Sequence, residues 1–585
     1  MAKVRAFGVI ACGALIAVQM RPVLGSLGRT VVGTVEGADA LLQTGILAWV
    51  TRHLGSFREW TELPIFHPAR NSIVAMDSLL GQAFMVAPLA WLADPTPALL
   101  YNVACFLSLG LVALAGALLW RAGDGGGDTT RAGTAAALAA LLLLGSPYTA
   151  SYIGMLNQIT PPWPVLMLAA AWRGWRHFRV GPPRRRWWWV AAGCLAMQAA
   201  WGWYGFASAV FVLATLGAPA LWAARRRRQA RRLLREVVPP LAAAMAVVLL
   251  FAWPYLEYRR SHPDFTRSLQ EVRFYSIDLN SFDNLGSHRL TPDDVFGRGE
   301  PAAGRALRNV DAVVHPGWLA LAGALVGAFR FRRLPAEQRR YGLVIAAVGL
   351  VGLVMAFGDS VGVLPGREWF RLPLPFGILQ EVLVPFQAFR APMRFAYLAT
   401  VAVAWWGTAG IMSVLDGCGA RARNLVAAAV MVAICVESIP MGLLAIPTVV
   451  DGRPGRYALP DDLGPGAILT LPAPPTEAQE GPTEARWVLR ALATGRPVTG
   501  GVSGWVPPET RRLRSLLAAC EAGERPPRAV LDSLAAAGIA GAEVCATGGE
   551  PRREAFWRSV LDSLGGSGTA TAPGYVFYAL PAPEP

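Results

Sequence analysis

Residues 205–254 read GFASAVFVLATLGAPALWAARRRRQARRLLREVVPPLAAAMAVVLLFAWP. Two apolar runs flank one arginine-dense tract, Arg225 to Arg235. Arginine accumulates in short loops on the cytoplasmic side of membrane helices, so these runs read as consecutive spans joined inside the cell. Working outward, the same alternation recurs. Candidate spans of roughly 20 apolar residues lie at 5–24, 97–120, 131–147, 161–178, 187–204, 205–223, 237–254, 316–331, 341–357, 394–415 and 424–446. With the N-terminus inside, Arg121, Arg131, Arg173 to Arg186, Arg225 to Arg235, Arg330 to Arg340, Arg421 and Arg423 all fall on the cytoplasmic side. Loops 25–96, 255–315 and 358–393, and the tail from 447, then fall outside. The fold class expected is a mainly α, polytopic membrane protein of about eleven helices with a small soluble α/β C-terminal domain.

The stretch 78–92, SLLGQAFMVAPLAWL, would invert everything downstream if it crossed the bilayer. It reads as a re-entrant or interfacial helix of the first outer loop. The alternative is that it crosses and 131–147 does not. The first apolar run follows Lys3 and Arg5 and lacks a small-residue cleavage site, so it reads as a retained helix. From 447 the composition turns soluble: GAILTLPAP and GYVFYALP alternate like strands, and 509–521 and 526–537 read as amphipathic helices. The expected organisation is a membrane domain over 1–446 and an extracytoplasmic α/β domain over 447–585.

Composition agrees. The 585 residues are 54% hydrophobic and 16% charged, with a mean hydropathy of +0.38. A formal charge of +15 raises nucleic-acid binding, but the cations sit in short tracts between apolar runs, where topology accounts for them. Lys3 is the only lysine. Cys12, Cys105, Cys194 and Cys435 lie in apolar runs, whereas Cys520 and Cys545 share the tail and could pair in an oxidising compartment. No cysteine pair has zinc-ligand spacing, and there is no Walker motif, dinucleotide fingerprint or HExxH.

Polar residues beside spans on the outer face are the candidates for chemistry. Glu36 and Asp39 lie just beyond the first span, and apolar spacing at Leu42, Ile46, Trp49 and Leu54 suggests a helix lying along the membrane surface. Asp39 could serve as a general base, hold a cation beside a phosphate, or merely cap that helix. His67, Arg70 and Asp77 flank apolar segments of the same loop; an outward arginine suits a phosphate or simple snorkelling. Asn157 and Gln158 suit sugar hydroxyls. Arg267, Glu271, Arg273, Tyr275 and Asp278 occupy the loop from 255. Arg390 and Arg394 precede an apolar run on its outer side, against the positive-inside tendency. An anionic ligand, or pairing with Glu381 or Asp359, would explain them.

The strings GADALLQTGILAWVTRHL (37–54), FHPARNSIVAMDSLLGQAFMVAPLAWL (66–92) and YNVACFLSLGLVALAGALLWR (101–121) resemble bacterial multi-pass GT-C glycosyltransferases. The resemblance continues through GSPYTASYIGMLNQITPPWPVLML, RSLQEVRFYSIDLNSF, HPGWLALAG, PLPFGILQEVLVPFQAFRAPMRFAYL and GGVSGWVPPE. It implies an inner-membrane transferase that moves a sugar from a polyprenyl-phosphate carrier to a glycan, lipid or protein acceptor on the outer face. In such enzymes an acidic residue soon after the first helix is essential, a place held here by Asp39, with Glu36 second. Gly37 and Ala38 separate the two, unlike the adjacent acidic pair of the protein mannosyltransferase branch. By the same resemblance Asp39 would be the base and Arg70, Arg390 or Arg394 would stabilise the leaving phosphate. No nucleotide-binding element is required, because the lipid carrier brings the activated sugar; the resemblance fixes no cofactor and leaves room for a divalent cation. A transporter or flippase for lipid-linked glycans, or a non-catalytic assembly protein, are the alternatives. Transporters favour ionisable residues at mid-membrane, and here Glu437 is the main exception to spans otherwise nearly free of them.

Overall fold

The computed structural model describes residues 2–580 apart from 35–36, 57, 125–128, 181–184, 264, 278, 283–312, 363–370, 441, 449–452, 454–458, 460–462, 464, 475–481, 502–505, 546–550, 567 and 573. Glu36 and Asp278 therefore lie outside the described residues, as do residues 502–505 of the GGVSGWVPPE string. In chain order the helices are α1 (Ala2–Met20), α2 (Ala38–Arg52), α3 (Leu80–Leu92), α4 (Pro97–Gly123), α5 (Thr129–Leu144), α6 (Pro147–Ser151), α7 (Pro162–Val180), α8 (Arg186–Trp201), α9 (Trp203–Arg226) and α10 (Ala230–Ser261). There follow α11 (Leu269–Phe274), α12 (Trp318–Phe329), α13 (Ala336–Ala356), α14 (Pro375–Val382), α15 (Tyr397–Leu415), α16 (Ala420–Glu437), α17 (Pro482–Thr494), α18 (Pro508–Glu521), α19 (Pro527–Ala536) and α20 (Pro551–Ser563). The strands are β1 (Thr30–Gly33), β2 (Ser360–Gly362), β3 (Arg371–Pro373), β4 (Leu444–Pro447), β5 (Ala467–Leu471), β6 (Ile539–Cys545), β7 (Thr569–Ala572) and β8 (Tyr575–Ala579).

Each of the eleven apolar runs is helical, with ends displaced by a few residues. The last is shorter than expected: α16 stops at Glu437, and Leu444–Pro447 is strand β4 rather than helix. By length and composition, six described helices can cross a membrane: those in Ala6–Val23, Pro97–Gly123, Trp203–Arg226, Ala230–Ser261, Ala336–Ala356 and Pro392–Leu415. The chain divides into two compact units, one of residues 1–21 and 105–443, the other of 22–104 and 444–585.

The first unit is a helical bundle. Its tightest crossing joins α12 to α15 through glycines, since a Cβ on Gly410 would lie 1.8 Å from the Gly323 carbonyl oxygen and one on Gly323 would lie 2.7 Å from that of Gly407. Small residues let helix backbones touch, which is how membrane helices gain packing without a hydrophobic drive between them. The arginine-rich helix ends are cross-linked. Arg131 pairs with Asp416 at 2.5 Å, Arg179 with Glu337 at 2.8 Å, Arg176 donates to the Asp124 carbonyl, and Arg330 to that of Ser413. Glu437, the acidic exception among the spans, accepts from the Trp318 and Leu319 amides at the start of α12. Orphan amides of a helix's first turn take such an acceptor, so this carboxylate is a cap supplied from another helix.

The second unit is assembled from two separated stretches. Strand β1 pairs antiparallel with β4, Thr30 opposite Pro447 through Gly33 opposite Leu444. The tail carries a four-stranded sheet in the order β5-β6-β8-β7, parallel at β5–β6 and antiparallel elsewhere. Its apolar cluster includes Leu469, Leu471, Leu517, Val544, Trp557 and Leu561. Within the sheet, Arg490 of α17 and Glu543 of β6 form a fully buried ion pair, 2.6 Å at its shortest. Helix α2 does not lie along a surface. Eleven of its residues are buried, including Thr44, Gly45 and Ala48, and it packs against α17 and α3. A Cβ on Gly45 would lie 2.2 Å from Val488 Cγ1. A helix buried on all its sides is a core helix, not an interfacial one. Helix α3, the 78–92 stretch, packs on α2 within this unit. Cys520 and Cys545 are both buried thiols with no disulfide between them.

Candidate functional site

The candidates fall into two sets, one in each unit. In the helical bundle the structure brings Arg267, Glu271, Tyr275 and Arg390 together. Ser268 opens the short helix α11 by accepting from the Glu271 amide at 3.1 Å. The sequence Ser268-Leu269-Gln270-Glu271 has the spacing of a capping box. Its carboxylate, however, contacts two arginines, Arg267 Nη1 at 3.2 Å and Arg390 Nη1 at 3.7 Å. The Arg390 guanidinium lies 5.1 Å from the Tyr275 ring centre, and Arg394 lies 4.7 Å over Tyr204. Cation–π contact of this kind holds a guanidinium flat without consuming its N–H donors.

Two further residues fasten the cluster. The Tyr204 hydroxyl accepts from the Arg390 and Ala391 amides, both at 2.9 Å. Gln387 accepts from Arg259 Nη2 at 2.9 Å through its side chain and from the Arg267 amide at 2.9 Å through its carbonyl. Arg259 also donates to the Phe265 carbonyl. Beneath lies an apolar cluster that includes Val272, Ile277, Phe376, Met393 and Phe395. Two guanidinium groups, Arg267 and Arg390, thus meet one carboxylate, with Arg259 tied to the same cluster through Gln387 and Arg394 through Tyr204. Such an excess suits a doubly charged phosphate, which arginine binds in bidentate fashion.

The alternative explanation, pairing of Arg390 or Arg394 with Glu381 or Asp359, is not found among the described residues. Glu381 is exposed, and Asp359 receives both Nε and Nη2 of Arg273 at 2.9–3.3 Å. Tyr204, Arg259 and Gln387 escaped the sequence reading. Arg259 carried the same signal as Arg390, a cation on the outer side of an apolar run, and Tyr204 stood in the aromatic string Trp201–Gly205 between two runs. Nothing local marked Gln387.

Asn157 and Gln158 follow α6 and are buried, Asn157 at 6% exposure and Gln158 at 1%. Neither Oε1 nor Nε2 of Gln158 has a hydrogen-bond partner among the described residues. A buried amide left in this way costs on the order of 1–3 kcal/mol, so it marks a place where a polar group belongs. The Tyr148 hydroxyl nearby in sequence donates to the Arg394 carbonyl at 3.1 Å.

In the second unit Asp39 is exposed at the second residue of α2. The helix begins at Gly37, whose φ of 63° suits glycine, and no side chain caps it. Asp39 is therefore not the cap. It makes no ion pair among the described residues, and a helix N-terminus favours an anion there. His67 is half-buried where Pro64–His67 runs beside Val498–Gly500: the Val498 amide donates to the Pro64 carbonyl at 3.1 Å and the His67 amide to the Val498 carbonyl at 3.0 Å. Burial holds the His67 imidazole below its ordinary pKa. Arg70 is exposed, beside Asn71, whose amide donates to Glu62 at 2.9 Å, and Asp77 is half-buried. Among the described residues no three His, Cys, Asp or Glu side chains are grouped to hold a metal ion.

No protein-family model and no curated protein matches the sequence. Solved structures do match. The arabinofuranosyltransferase AftD from mycobacteria aligns over 99% of this chain at 15% identity and a TM-score of 0.53; the chain spans 40% of that protein's length. The archaeal oligosaccharyltransferase AglB from Archaeoglobus fulgidus, solved with an inhibitory peptide and a dolichol-phosphate, aligns over 98% of this chain and 74% of its own, at 12% identity and a TM-score of 0.50. At such identities the likeness is one of fold.

Proposed function

We propose that this chain, which has the fold of the GT-C glycosyltransferases, transfers a sugar from a polyprenyl-phosphate carrier to a cell-envelope acceptor on the outer face of the bacterial inner membrane. The observation that carries the reading is the convergence of Arg267, Glu271, Tyr275 and Arg390, with Arg394 stacked on Tyr204. Inverting transfer needs two things: a base for the acceptor hydroxyl and charge stabilisation for the departing phosphate. Asp39, exposed and uncapping, is the base in this reading, with Glu36 its alternate. Arg390 and Arg394 receive the phosphate, held flat by Tyr275 and Tyr204, and Arg70 is the reserve candidate. Gln158 and Asn157 supply hydroxyl contacts.

In this reading the arginine-rich helix ends, which are cross-linked to one another, share the cytoplasmic side, and the loop 25–96 and the tail from 447 lie outside. The transporter alternative loses its main sequence support, because Glu437 is a helix cap. The test is sugar transfer in membranes from the Asp39→Asn variant, alone and with Glu36→Gln. Loss of product with retained protein level is expected. Undiminished transfer by the double variant would end the proposal.

A further inference from the structure

Helix α14 is apolar on two opposed faces. Phe376 and Gln380 are buried, Phe376 against the cluster that holds Met355 and Phe395. Ile378 and Val382, one turn apart on the other side, are 59% and 71% exposed. Exposed Leu383 and Val384 extend the bare surface along the chain, as does Leu372 of the β2–β3 hairpin. Exposed Leu269 and Phe274 of α11 add apolar surface beside the arginine cluster. A helix facing water carries polar groups on the side away from its core, and the only charge on α14 is Glu381. A contiguous apolar surface of this kind marks an interaction face.

Two neighbours identify what covers it. Helix α10, long and apolar enough to cross a membrane, leaves Leu249, Leu250, Trp253 and Leu256 exposed. Its end is fastened to the turn after α14 by Arg259, whose Nη2 donates to Gln387 Oε1 at 2.9 Å. The exposed apolar residues of α14 thus belong to a segment tied to the end of a helix long and apolar enough to cross a membrane. The second neighbour is the pair Arg267 and Arg390, whose side chains are 10% and 29% exposed, on the segments that flank α14 and α11. Exposed apolar side chains with cations close by in the chain are the pattern of a segment lying in the interface of a bilayer with anionic headgroups.

We propose that α14, with Leu372 and Leu383–Val384, is an in-plane membrane anchor whose apolar face sits among acyl chains while Arg267 and Arg390 meet headgroup phosphates. Such an anchor requires the chain to span a bilayer but does not require it to transfer a sugar. The experiment uses the full-length protein in nanodiscs of phosphatidylcholine bearing a diazirine on the acyl chain, with adducts mapped by peptide mass spectrometry. Adducts are expected on 372–384 as well as on 249–256. Adducts on 249–256 alone would overturn the anchor. In an Ile378→Asn, Val382→Asn variant, adducts on 372–384 should fall on the order of tenfold, with those on 249–256 unchanged as the sign of an intact fold. Replacing a third of the lipid with phosphatidylglycerol should raise labelling of 372–384; equal labelling would overturn the headgroup assignment.

Discussion

The buried pair Arg490–Glu543 permits a worked test of how the second unit is held. Both side chains are fully buried, with three N–O contacts of 2.6–3.0 Å. The Thr571 hydroxyl adds a donor to Glu543 at 2.6 Å, and the guanidinium lies 5.7 Å from the Tyr575 ring centre. Direct attraction at this separation is on the order of 5 kcal/mol at an effective dielectric of ~20. Desolvating two charges costs a comparable amount, so the intact pair contributes little net stability. Removing one partner is different, because the other charge stays buried and uncompensated, at about 3–5 kcal/mol. For a unit in the 150–250-residue class, each kcal/mol lowers the midpoint by roughly 2–4 °C. Glu543→Gln should therefore lower the unfolding midpoint by about 6–20 °C. Arg490→Met with Glu543→Leu should recover most of that loss, since an apolar replacement leaves no buried charge. The assay is tryptophan fluorescence of the detergent-purified protein at fixed scan rate, with Trp487 and Trp557 as buried reporters in this unit. A double variant as unstable as Glu543→Gln, or a Glu543→Gln variant that melts like the parent, would refute the reasoning.

Three other outcomes follow from the same geometry. Gly410→Ala drives a Cβ to 1.8 Å from the Gly323 carbonyl oxygen and should destabilise the bundle by about 1–3 kcal/mol or more, seen as a lower melting midpoint, whereas Gly110→Ala, with nothing within 4 Å, should melt as the parent does. Because burial lowers the folded-state pKa of His67 below 6.5, the neutral form is the one the fold accommodates. Its contribution is present above the unfolded value and lost as pH falls from ~6.5 through the lower folded value. His67→Gln should accordingly narrow the difference in melting midpoint between neutral and mildly acidic buffer. Arg390→Lys keeps the charge but loses the planar contact with Tyr275; kcat/KM for a polyprenyl-phosphate donor should drop roughly 10- to 100-fold, the worth of a lost bidentate contact, and unchanged kcat/KM would remove Arg390 from the site.

Much of the bundle was legible because a bilayer enforces it: charge-free runs between arginine tracts became helices at nearly the expected places. Helix α2 was misread for a definite reason. The spacing of Leu42, Ile46 and Trp49 picks out one stripe, but Thr44, Gly45 and Ala48 on the other sides are buried too, and small residues carry no hydropathy signal. Asp39 offered a capping pattern, yet Gly37 begins the helix with a backbone conformation that composition cannot reveal. The arginine cluster was legible as residues and not as a site. Arg267 and Glu271 declare themselves as an i, i+4 pair, but Arg390 joins them across more than a hundred intervening residues. The same separation hid the role of Glu437, whose partner is the first turn of α12. The end of the last apolar run was lost to β4, because Leu444–Pro447 is as apolar as the helix before it and only its pairing with β1 decides the matter.

That pairing has a consequence for how the chain is made. The second unit needs both of its stretches, yet about 340 residues of bundle are synthesised between them. At elongation rates of roughly 5–20 residues per second, the earlier stretch waits on the order of 20 to 70 seconds for the later one. Throughout that interval the edge of β1 lacks its partner and the flank of α2 that will meet α17 stays bare. A newborn chain therefore leaves its first hydrophilic stretch open to proteases and aggregation for as long as the bundle takes to be made.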